Sequence, residues 1–223
     1  MVFAVFASCE VFEKEGSVVM SSSSVPAPSS RERIRESAKT LFARHGYEST
    51  ATAAICRLAG TSESQLLKHF ESKQGLLEAI FENAWRQINP AIRLATDSIS
   101  NPRERIKILI EMVLKFLSRD QELLLLFLLE GRRIRDDGKF VVLVPGFLDF
   151  VQLVDSILRQ LALEGELVSG MNTEAVRSGL MGAFEGLLRD QILAKHIKYP
   201  AAYSEADIHA VCFRFLNSVL KNS

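Results

Sequence analysis

RERIRESAKTLFARHGYESTATAAICRLAGTSESQLLKHFESKQGLLEAI, residues 31–80, is the stretch whose reading decides the fold. Ser29 and Glu32 stand at capping-box spacing, so a helix opens at about Arg31. Ile34, Ala38, Leu41 and Phe42 form its apolar stripe, and Gly46 after His45 supplies a stop. Thr50 is expected to cap a short second helix in which Ile55, Leu58 and Ala59 share a face and which Gly60 ends. Ser62 and Gln65 repeat the capping-box spacing and open a third helix, Ser62 to His69, that buries Leu66 while Phe70 follows. Two short helices joined by a tight turn at a glycine have the layout of a helix-turn-helix.

Outward from this stretch the pattern stays helical. Ser72 caps a fourth helix with Leu77, Ile80, Phe81, Ala84 and Ile88 in register. Pro90 lacks a backbone donor and predicts a kink near Asn89. The boundary between a head, residues 30–90, and a body, residues 91–223, is placed there. Asn101-Pro102-Arg103-Glu104 has a cap, a proline at the first helical position and an acid in the first turn. Ile106, Leu109, Ile110, Val113 and Leu117 line the helix that follows. Further helices are expected over Gln121 to Gly131, Phe147 to Leu163, Thr173 to His196 and Ser204 to Leu220. Arg132 to Gly146 reads as a connecting loop, whose Arg132, Arg133 and Arg135 either meet an anionic ligand or neutralise their own acidic neighbours. The expected class is all-α, about nine helices in all. A three-helix helix-turn-helix domain precedes a larger helical ligand-binding and dimerisation domain.

Composition narrows the function classes. Lys plus Arg and Asp plus Glu are 27 each, so no global field draws the chain to nucleic acid or membrane. Phosphate contacts need only local cations. Three widely spaced cysteines (Cys9, Cys56, Cys212) argue against a disulfide framework or zinc site and fit a reducing cytoplasm. The longest apolar run, Leu123 to Leu129, lies between Glu122 and Glu130 and is far short of a membrane span. Residues 1–29 read as a disordered, serine- and proline-rich leader in which translation can begin at Met20. Phosphate-cradling, nucleophile-elbow and metalloprotease motifs are missing, and the four histidines show no ligand spacing. No enzyme, cofactor, catalytic residue or metal is expected.

The order and spacing of Leu41-Phe42, Gly46-Tyr47, Thr50, Ile55, Ala59-Gly60, Ser62, Leu66, Phe70, Lys73 and Leu76-Leu77 resemble the tetracycline-repressor (TetR) family over about fifty residues. Gly182-Ala183-Phe184-Glu185-Gly186-Leu187-Leu188 is similar to its small-residue dimer helix. The resemblance implies a homodimer with two DNA-binding heads and a body whose ligand releases a palindromic operator. It further implies a bacterial, cytoplasmic, nucleoid-associated regulator, most often a repressor. The partners are then double-stranded operator DNA, a second copy of the chain and an unknown apolar small-molecule effector, with no membrane.

The DNA-facing candidates are Thr50, Thr52, Ser62, Glu63, Ser64, Gln65, Lys68, His69 and Lys73. In the family the position of Lys73 contacts phosphate, and Thr52 lies on the DNA side. Lys68 reaches phosphate or a guanine edge, and His69 positions against backbone. Gln65 has two uses, pairing with adenine or closing the capping box with Ser62. Three positions depart from the family pattern: Glu63 stands for a basic residue, Leu67 for a phosphate-binding tyrosine and Ala51 for Ser or Thr. Residues 31–86 carry nine Lys or Arg against seven Glu, a surplus of only two. These departures keep open an alternative: the same fold binding ligand or protein, with DNA binding weak or lost. In the body, Trp85, Met112, Phe116 and Phe127 are candidate pocket walls or else core. Gly179, Gly182, Gly186, Phe184, Val211, Phe215 and Val219 are the candidate dimer interface, since helical glycines cost about 1 kcal/mol each unless backbones must approach.

Overall fold

The computed structural model describes residues 27–131, 133, 143–196 and 198–221. Residues 1–26 of the leader, Met20 included, and Arg132 and Arg135 lie outside the described residues. Within them the fold is all-α, with nine helices.

In the head, α1 (Ser30–His45) starts at the Ser29–Glu32 capping box and stops at Gly46, φ 81°. The Ser29 amide and hydroxyl hold the Glu32 carboxyl below the usual carboxylate range. Helices α2 (Thr52–Ala59) and α3 (Glu63–Phe70) follow, and then α4 (Lys73–Thr96), capped by the Ser72 hydroxyl. Ile34, Ala38, Phe42, Ile55, Leu66 and Leu76 are buried together. Each large side chain in that group gives about 1.5–3 kcal/mol on burial, which fixes three short helices that would not be stable alone.

Helix α4 runs through Pro90 to Thr96, with Trp85, Ile88 and Ile92 buried on either side of the proline. Pro90 itself is exposed, so the carbonyl it leaves without a donor can be hydrated. The head–body boundary at residue 90 therefore falls inside one helix.

The body comprises α5 (Pro102–Arg119), α6 (Gln121–Glu130), α7 (Pro145–Leu163), α8 (Thr173–His196) and α9 (Glu205–Val219). Pro145 takes the first position of α7, so this helix begins two residues before Phe147, inside the expected loop. Its start is clamped to α4. Asn89 Nδ2 donates to the Gly146 carbonyl at 2.8 Å, and the Gly146 amide donates to Glu82 Oε2 at 2.8 Å. A Cβ at Gly146 would lie 2.6 Å from that of Trp85, so only glycine permits this approach. At the far end, the Val168 amide donates to the Val219 carbonyl and the Lys221 amide to that of Glu166, pinning the tail of α9.

Candidate nucleic-acid interface and ligand cavity

Gly60 adopts φ 62° and ψ 47°, the left-handed conformation that turns the chain between α2 and α3. Ser62 caps α3, its hydroxyl accepting from the Gln65 amide at 3.4 Å. Leu66 and Phe70 anchor α3 inward, which leaves Glu63, Ser64, Gln65, Leu67 and Lys68 exposed on its other side. Leu67 is 52% exposed. The two-turn helix expected after Gly60 thus stands on the surface.

Several candidates already have work within the protein. The Thr52 hydroxyl donates to Glu63 Oε2 at 3.0 Å, and the Ser62 and Ser64 hydroxyls are 2.8 Å apart. His69 Nε2 pairs with the Ser30 hydroxyl at 2.9 Å, tying α3 to the start of α1. Lys73 Nζ donates to the Glu48 carbonyl at 3.2 Å and lies 4.3 Å from the Tyr47 ring centroid. Gln65 closes no capping box with Ser62: only the serine half of the bond is made, and the glutamine amide is exposed. Lys68 is exposed and has no ion-pair partner among the described residues.

Thr50 is a correction. Ala51, which has no side-chain bond to offer, occupies the cap position of α2, and Thr50 lies inside, 4% exposed. Its hydroxyl is within hydrogen-bond reach of the Gly46 carbonyl, at 2.7 Å, and that of Leu41, at 3.2 Å. Buried against the end of α1 by these contacts, Thr50 leaves the DNA-facing set.

The head is tied to the body through α1 and α6. Lys39 Nζ is 2.6 Å from Asp120 Oδ2 and 3.0 Å from Glu36 Oε2. Burial pulls the Lys39 ammonium down, but its bonds to Asp120 and Glu36 outweigh that and raise it above the usual lysine range. Thr40 Oγ1 donates to Glu122 Oε2 at 2.8 Å. Arg133 lies 3.4 Å from Glu48, which answers one part of the loop question: this arginine faces the head.

Inside the body is an apolar cavity of about 100 Å³. Trp85 and Phe127 line it, as the sequence predicts, together with Leu109 of α5, Phe147 and Phe150 of α7 and Leu180 of α8. Phe116 and Met112 do not line it. Phe116 faces a smaller gap beside Ile88 and Leu123, which Trp85, Val113 and Phe127 also border. Missed in the sequence were Arg177, Met181, Phe184 and Leu188, which line the same wall from α8. Their spacing of three and four was visible, but the interleaved glycines drew attention to the other face.

Two dimer candidates are thereby reassigned. Phe184 lines the cavity, and Val219, 5% exposed, is interior because the loop before α8 bonds over it. Gly179 is occupied within the subunit, since a Cβ there would meet Phe215 at 3.0 Å. Gly182 faces open space, the surroundings of Gly186 offer only the Arg189 tip at 3.9 Å, and Val211 is 46% exposed.

Comparison with known proteins agrees with this geometry. Residues 34–80 match the family model described as bacterial regulatory proteins, tetR family. The chain is 26% identical over 183 residues to the nucleoid occlusion factor SlmA of Vibrio cholerae, covering 76% of this chain and 86% of that protein. It is 24% identical over 193 residues to the HTH-type transcriptional regulator UidR of Escherichia coli K12, covering 84% and 93%. In fold it is similar to the fatty acid degradation regulator FadR of Bacillus halodurans, with a TM-score of 0.72, 19% identity and coverage of 87% and 96%. Among the described residues no helix is long and apolar enough to cross a membrane, and no group of side chains could hold a metal ion.

Proposed function

We propose that this chain, which belongs to the TetR family of bacterial transcriptional regulators, acts as a homodimeric repressor that binds a palindromic operator and lets it go when a small molecule enters the body. The observation that carries the reading is α3 itself: a two-turn helix, capped at Ser62 and exposed over Ser64, Gln65, Leu67 and Lys68, on a head whose core holds it rigidly. In this arrangement α3 enters the major groove. Lys68 supplies a free cation for phosphate or guanine, and Gln65 presents an unengaged amide that matches the donor–acceptor pair of adenine. Ser64 and Leu67 offer a hydroxyl and an apolar contact for a thymine methyl. Thr52 and Lys73 flank the helix within reach of backbone phosphate, and His69 holds α3 against α1. The open face at Gly182 and Val211 is where the second subunit packs, and the cavity behind Trp85 takes the effector.

Footprinting on DNA flanking the gene tests this. Protection of two symmetric half-sites, about 10 base pairs or a multiple apart, supports the repressor. A second reading is favoured by Glu63, whose carboxylate is exposed in the first turn of α3 where it repels phosphate. On that reading the chain is a ligand- or protein-binding dimer of the same fold, and a likeness to nucleoid occlusion factors keeps a role outside gene repression in view. Absence of protection even at low salt would favour it.

A further inference from the structure

The body cavity is small, long and apolar. Its lining follows one face of α5 from Ile106 through Leu109 and Val113 to Leu117, a length of about 16 Å at the helical rise of about 1.5 Å per residue. A space of about 100 Å³ spread along such a wall is a narrow slot. A cavity of about 150 Å³ lined by Leu, Ile and Phe takes one benzene, so a single ring is about the largest rigid body that fits here. Part of the wall is aromatic, with Trp85, Phe127, Phe147, Phe150 and Phe184 reaching it from four helices. Phe150 stacks on Trp85 at 4.8 Å between centroids, and Phe127 stands edge-on to it at 5.9 Å. A flat guest extends this cluster by the same contacts, each adding about two- to tenfold in affinity. Among the lining residues described there is no Ser, Thr, Asn, Gln, His or Tyr. Trp85 offers only its ring, since its Nε1 has no reachable surface. Arg177 already has its counter-ion in Asp155 at 2.6 Å, and Glu185 is itself engaged. A charged guest would therefore lose its hydration without gaining an unpaired counter-ion.

We infer that the effector is a small, uncharged aromatic molecule with a single ring, of about the size of toluene, selected by shape and ring contacts and not by hydrogen bonds. This rests on the reading of the cavity as the effector site and narrows it. Drug-sized ligands need about 300 Å³ or more, so fused-ring and sterol-sized compounds are excluded by volume, and acidic ones by the lining.

Met181 lines the cavity and Met112 does not, so their methyl groups report on its occupancy. The full chain, labelled with methyl-¹³C-methionine, is titrated separately with toluene, methylcyclohexane, n-hexane, naphthalene and benzoate. Met181→Leu and Met112→Leu identify the two resonances by their loss, and calorimetry gives the affinities. Toluene is expected to move the Met181 methyl by its ring current and to leave Met112 in place. It should bind about tenfold or more tightly than methylcyclohexane, whose puckered ring carries the same carbon skeleton without the flat face. Naphthalene and benzoate should leave Met181 unmoved. Methylcyclohexane or n-hexane binding as tightly as toluene would overturn the aromatic assignment. Naphthalene or benzoate moving Met181 would overturn the limit on size or charge. Any of these results leaves the cavity as an effector site of another selectivity. If no compound moves Met181, the effector site itself is misplaced. DNA is absent from every arm, so the outcome is independent of whether the head binds an operator.

Discussion

At Glu63 a carboxylate sits in the first turn of the helix proposed to face DNA, and it draws the Thr52 hydroxyl to itself at 3.0 Å. One side chain thereby costs the surface twice, by adding a negative charge and by occupying a donor. Replacing Glu63 by Gln should raise affinity for non-specific duplex by about two- to fivefold at low salt, as measured by anisotropy, with the gain shrinking as salt is added. No gain would mean that Glu63 does not approach phosphate. Thr50 makes a different kind of prediction. Its hydroxyl lies against two buried carbonyls at the end of α1, so Thr50→Val should cost about 1–2 kcal/mol in urea unfolding. The DNA affinity of the folded protein should stay unchanged, and a selective loss of affinity would return Thr50 to the interface. The contrast between these residues marks a limit of reading by spacing. A threonine next to a helix start can cap it or fold back, and the choice depends on where the preceding turn points, which no local pattern encodes. Gln65 shows the same ambiguity, and its exposed amide resolves it only once the backbone is in place.

At the level of elements, α8 carries two faces within one helix. Gly182 looks into open space, whereas Gly179 abuts Phe215 and Phe184 turns into the cavity. Gly182→Leu meets nothing in its own subunit, so it should leave the fold intact and shift sedimentation from dimer to monomer. A dimer that persists would place the interface elsewhere. Helix positions and ends were largely legible from caps and apolar stripes, α8 to the residue. What spacing could not separate was the partner of each stripe, because a small-residue face and a cavity face both repeat at three and four. Helix α4 runs through Pro90 because its apolar face is buried on both sides of the proline, and that packing outweighs one missing backbone bond.

For the whole molecule, the proposed release requires that occupancy of the cavity reach α3. Cavity walls contributed by α4 and α6 continue into the head directly through α4 and by contact through the polar ties of α1 to α6. None of these ties was visible in the sequence, since Lys39 and Asp120 are eighty-one positions apart. Asp120 also caps α6 by accepting from the Leu123 amide, so Asp120→Asn keeps an acceptor for the cap while removing the ion pair. Combined with Thr40→Val, it should leave ligand affinity for the free protein unaltered yet weaken ligand-driven DNA release by a factor of about 2 to 30. Unchanged release would route the signal through α4 alone. The central claim, that α3 meets DNA through its exposed face, is tested most directly by the salt dependence of binding for the protein and for Lys68→Ala, on duplex from the gene's flanking region. Affinity should fall steeply with salt, and loss of this one cation should flatten the logarithmic slope by about 1. Identical slopes for the two proteins, or binding indifferent to salt, would contradict it.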